Sequence, residues 1–128
     1  MKEHAAGVWA RRLLAVIRLT NGLLGLLAPQ ILIRRLATDP AVDKSAFYPF
    51  RMFGIRTVVL GVDLLTMREE QLARADATAI IIHSADTISA AVGGIRGDVP
   101  IKVARMTTTI SAINTILAII AWTTRRRR

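Results

Sequence analysis

The residues with the most chemical potential form two groups: Arg51-x-x-Gly54-x-Arg56 with Gly61 and Asp63 behind it, and His83-x-x-Asp86 further along. In water such scattered charges would be unremarkable. Here they interrupt apolar runs, where an ionised side chain must find a partner or a polar cavity. Arg18, inside the first apolar run, completes a buried charged set of Arg18, Arg56, Asp63, His83 and Asp86. The two expected pairings are a bidentate Arg56–Asp86 bridge and an Arg18–Asp63 bridge. In the functional alternative, His83 and Asp86, on one helix face, relay protons or hold a cation while the arginines attract an anion.

Other chemistries are excluded by composition. The chain has no cysteine and two histidines, so thiolate nucleophiles, disulfides and a multi-histidine metal centre are ruled out, and no cofactor or metal is expected. No serine has a recognisable base and orienting group, so no catalytic set is expected. Lys plus Arg is 18 against 9 for Asp plus Glu, giving +9, but four of the cations are the terminal Arg125, Arg126, Arg127 and Arg128. That run suits anionic lipid headgroups. Aromatic residues are 5% and are not interleaved with basic ones, which argues against nucleic acid as a partner.

The elements that must position these residues read as helices, since no strand-like alternation occurs. At 128 residues, 52% of them hydrophobic, and a mean hydropathy of +0.42, the chain is one domain. Residues 106–124 carry no charge and end at Trp122 and the arginine run, as expected of a membrane span. Thr107, Ser111, Asn114 and Ala118 share one face of it.

The first run is apolar to about Ala28 and stops at Pro29. Arg18 interrupts it and Leu26 disfavours leader cleavage, so it is expected to be a span. A short interfacial helix over 31–36 should follow. The fold expected is an all-α four-helix transmembrane bundle with spans near 8–28, 50–67, 73–95 and 104–124. Gly22, Gly25, Gly54, Gly61, Ser89 and Gly93 are its expected helix-packing positions. Basic residues number nine on the side of the termini and seven on the other, placing both termini in the cytoplasm.

Arg51, Phe53, Gly54, Arg56, Gly61 and Asp86, with Pro29 ending the first helix, resemble a family of small four-helix membrane proteins common in actinobacteria, over about residues 10–122. Thr57 stands where that family often has an acidic residue. The resemblance implies fold and location and supplies no activity. The function expected is therefore a structural or accessory subunit of the plasma membrane, as a homo-oligomer or within a larger complex. The alternative is a proton- or ion-coupled transporter or channel.

Overall fold

The computed structural model describes residues 2–35 and 44–126. They form four long helices and one short one, with no strand among the described residues. Helix α1 (Lys2–Leu27) ends where Pro29 removes an N–H donor, and the Ala28 amide closes its last bond to the Leu24 carbonyl at 3.0 Å. Proline then suits the first position of α2 (Pro29–Arg35), which turns 100° from α1. The short helix expected after the first apolar run is this element. The remainder of that connection lies outside the described residues.

Helix α3 (Phe47–Thr66) returns, and Met67 and Arg68 turn the chain into α4 (Glu69–Arg96). The Arg68 amide donates to Gln71 Oε1 at 3.3 Å, and Glu69 and Glu70 place negative charge on the positive end of the α4 dipole. Gly97, at φ +76°, ends α4, letting the Asp98 amide reach the Gly93 carbonyl at 2.9 Å. Gly93 and Gly94 are thus still helical. Pro100 precedes α5 (Ile101–Arg126), which runs to the arginine tail.

The four long helices run up and down, so Gly7 of α1 meets Thr124 of α5 at the end that also holds the α3–α4 turn. Around the bundle, α1 packs on α3 and on α5, and α5 on α4, while α3 and α4 make almost no contact beyond their shared turn. The α1–α3 seam is set by glycines. A Cβ at Gly22 would stand 2.8 Å from the Val58 amide nitrogen, and one at Gly25 2.9 Å from the Phe50 carbonyl. One at Gly54 would stand 2.6 Å from the Gly22 carbonyl, and one at Gly61 3.0 Å from Leu19.

The core is small and lies toward the end carrying the termini, with Leu14, Ala15, Leu64, Ala79 and Ala118 at its centre. Large apolar residues face outward instead: Ile81 is 70% exposed and Ile95 86%. Helices α4 and α5 are each long and apolar enough to cross a membrane, and α1 with α2 qualifies as a bent pair. Helix α3 does not qualify, because every 18-residue window in it includes Arg51, Arg56 and Asp63. By length and composition, two of the described helices, or three spans with the bent pair, could cross a membrane.

A candidate polar cleft between α3 and α4

The inward face of α1 runs through Leu14, Ala15, Arg18, Gly22 and Gly25, so Arg18 is carried into the bundle by the periodicity that buries its neighbours. It is 3% exposed. On α4 the buried stripe is Leu72, Asp76, Ala79 and His83, and on α5 it is Ala104, Ser111, Asn114, Ala118 and Ala121. These stripes bring Arg18, His83 and Asn114 to the middle of the molecule.

Arg18 Nε donates to His83 Nε2 at 3.0 Å, and Arg18 Nη1 donates to the Leu60 carbonyl at 3.4 Å, tying α1 to α4 and α3. A ring nitrogen that accepts carries no proton, so His83 is neutral with its hydrogen on Nδ1. That Nδ1 lies 3.8 Å from Asp86 Oδ2, beyond direct hydrogen-bonding reach. Arg18 Nη2, His83 Nδ1 and Asn114 Oδ1 are all buried without a hydrogen-bond partner. Buried polar atoms in this state are uncommon, and three in one place ask for an occupant.

All three residues line a cleft of about 1210 Å³. It opens because α3 and α4 diverge from their turn. Its walls are apolar, with Ile55 and Val59 on α3, Ile82 on α4, and Val103 and Ile110 on α5. Arg35, Arg56, Asp86 and Ser89 supply further polar groups.

Neither expected ion pair forms among the described residues. Arg56 is exposed on α3 across the gap from Asp86, because the two helices splay. Arg18 meets His83, which stands one turn before Asp86 on α4. Asp63 is half-buried and lies outside the cleft. Of the expected packing positions, Gly22, Gly25, Gly54 and Gly61 make the α1–α3 seam. Ser89 and Gly93 instead face the cleft, since nothing packs on that part of α4. Gly94 takes the packing role, against Ala104.

A second charged cluster at the end carrying the termini was not foreseen. Arg125 Nε donates to Asp76 Oδ2 at 3.0 Å, Arg125 Nη1 pairs with Glu69, and Arg11 Nη1 lies 3.9 Å from Glu69 Oε1. Asp76 is fully buried. Arg125 was expected to meet lipid headgroups; α5 extends far enough to turn this side chain inward onto the buried carboxylate. Arg126 remains outside, its guanidinium 4.2 Å above the Trp122 ring. Arg127 and Arg128 lie outside the described residues. Asp76 was legible in principle, because it stands seven positions before His83 and so shares its face. Among the described residues, no three His, Asp or Glu side chains group as metal ligands do.

Comparison with protein-family models, with curated proteins and with solved structures finds no match to this chain.

Proposed function

We propose that this chain is a small integral membrane protein that crosses the plasma membrane four times with both termini in the cytoplasm. In this reading it acts by binding, as a non-catalytic accessory subunit. One observation carries the proposal: large apolar side chains cover the outside of the bundle, while charged and polar ones are buried beside its small apolar core. Arg18, Asp76, His83, Ser111 and Asn114 are buried, while Trp9, Leu13, Leu27, Ile81, Ile88 and Ile116 are exposed. An outer surface so rich in large apolar side chains suits hydrocarbon. In the four-span reading α3 is a dependent span. Its glycine face lies on α1, Arg56 turns to the cleft, and Arg51 sits 5.7 Å from the Phe47 ring near the helix end. The family resemblance noted above supports the same reading.

The absence of cysteine makes the test clean. Single cysteines at Ala5, Met67 and Arg126 should react with an impermeant maleimide only from the cytoplasmic side, and those at Lys44 and Asp98 only from the opposite side. The protein should also resist alkaline carbonate extraction. Release by carbonate, or labelling of all five positions from one side, defeats the reading.

Proton- or ion-coupled transport is a second reading, favoured by the His83–Asp86 approach in the cleft. Against it, the other half of the bundle is closed by Leu14, Ala15, Leu64, Ala79 and Ala118. Proton flux into proteoliposomes that vanishes in Asp86→Asn would select transport. Flux equal to that of empty vesicles would select the accessory role.

A further inference from the structure

The cleft between α3 and α4 has a chemistry of its own, and it rests on the reading that the bundle lies in a bilayer. With His83 neutral, its lining carries Arg18, Arg35 and Arg56 against Asp86, a surplus of two positive charges. Two buried donors, Arg18 Nη2 and His83 Nδ1, lack acceptors, and both residues are more than nine-tenths buried. Both residues line the cleft, whose walls are otherwise largely apolar.

A ligand that satisfies all of this has a compact, doubly charged acid group, acceptor oxygens for the two donors, and a hydrocarbon tail that leaves between α3 and α4. We propose that the cleft binds a membrane lipid bearing a terminal phosphate monoester, headgroup inward on Arg18, His83 and Arg56 and tail outward into the bilayer. A phosphate monoester carries about −1.5 to −2 charges near neutral pH, matching the surplus, and arginine binds it through two parallel donors. A phosphodiester or carboxylate lipid supplies only one charge. The volume, about 1210 Å³, exceeds the ~300–1,000 Å³ of ordinary small-molecule pockets and leaves room for the start of a chain.

The test uses the full chain in phosphatidylcholine vesicles containing a few per cent of phosphatidic acid, phosphatidylglycerol or oleic acid, each spin-labelled on the acyl chain. The motionally restricted fraction is measured after flotation. Phosphatidic acid should be restricted in preference to the other probes. Arg56 makes no ion pair among the described residues, so Arg56→Gln should fold normally and weaken that association about tenfold, the scale of one charge-assisted hydrogen bond. Val59→Trp, which narrows the cleft, should weaken it, and Arg34→Gln, on the exposed face of α2, should leave it unchanged.

Equal restriction of all probes, an equal loss in Arg34→Gln, or no loss in Val59→Trp would overturn the lipid site alone. So would a Val59→Trp protein that loses a dimer instead of the lipid signal, which would assign the cleft to a second copy. A chain that fails to float with the vesicles would overturn the membrane reading and the lipid site with it.

Discussion

Arg18 has an unusual partner for a buried arginine: a neutral imidazole, and no carboxylate within 4.0 Å among the described residues. The hydrogen bond is still charge-assisted, worth about 1.5–3 kcal/mol, because the guanidinium keeps its charge. Replacing His83 by Phe removes the acceptor and leaves Arg18 with the Leu60 carbonyl. Thermal unfolding in detergent should show a loss of about 2 kcal/mol, and His83→Gln, whose amide oxygen accepts, should recover a good part of it. Equal losses in the two variants would mean that ring packing, and not the hydrogen bond, matters at position 83. Asp76 is the harsher site. Asp76→Ala leaves Arg125 facing inward without its buried partner and should cost about 3 kcal/mol, whereas Asp63→Asn, which breaks no bridge, should stay within about 0.5 kcal/mol. The same melting series ranks all four variants.

Helix by helix, the bundle depends on how near two backbones can come. At Gly54 a methyl group would strike the backbone of α1, which cannot rotate away as a side chain can. Gly54→Ala should therefore destabilise by about 2 kcal/mol. Gly93→Ala meets only Val99 Cγ2, at 3.5 Å, and should be neutral or stabilising by up to about 1 kcal/mol through helix propensity. Comparing the two unfolding midpoints checks the seam, and a benign Gly54→Ala would refute it.

This scale also marks what could be read without coordinates. Helical periodicity located the seam glycines, Pro29 announced the α1–α2 break, and Ser111, Asn114 and Ala118 were on the correct face of α5. Pairing across helices was not readable, because periodicity gives the face of a residue and not its height against a neighbour. Arg18 lies level with His83 and Leu60, a register fixed by loop lengths and glycine contacts that no local pattern encodes. Ser89 and Gly93 looked like a packing ridge for the same reason: small residues mark a close approach only where another helix is present.

For the molecule as a whole, the proposed four-span reading turns on α3, which is too charged to enter a bilayer by its own hydropathy. Arg56 and Asp63 facing hydrocarbon at mid-depth would each cost about 2.5–3.5 kcal/mol, more than the flanking Val and Leu residues comfortably offset. The bundle supplies what α3 lacks: a glycine seam that lets α1 shield one side, and a cleft into which Arg56 can turn. Insertion of α3 should therefore depend on α1, while α4 and α5 need no such help. In Gly54→Leu the seam cannot close, and a cysteine at Met67 should lose cytoplasmic maleimide labelling in a large share of molecules. In Gly93→Leu, which disturbs only the cleft, the same cysteine should label as in the parent. Were Met67 labelled equally in both variants, α3 would be an autonomous span. The seam would then serve stability after insertion and have no part in insertion itself.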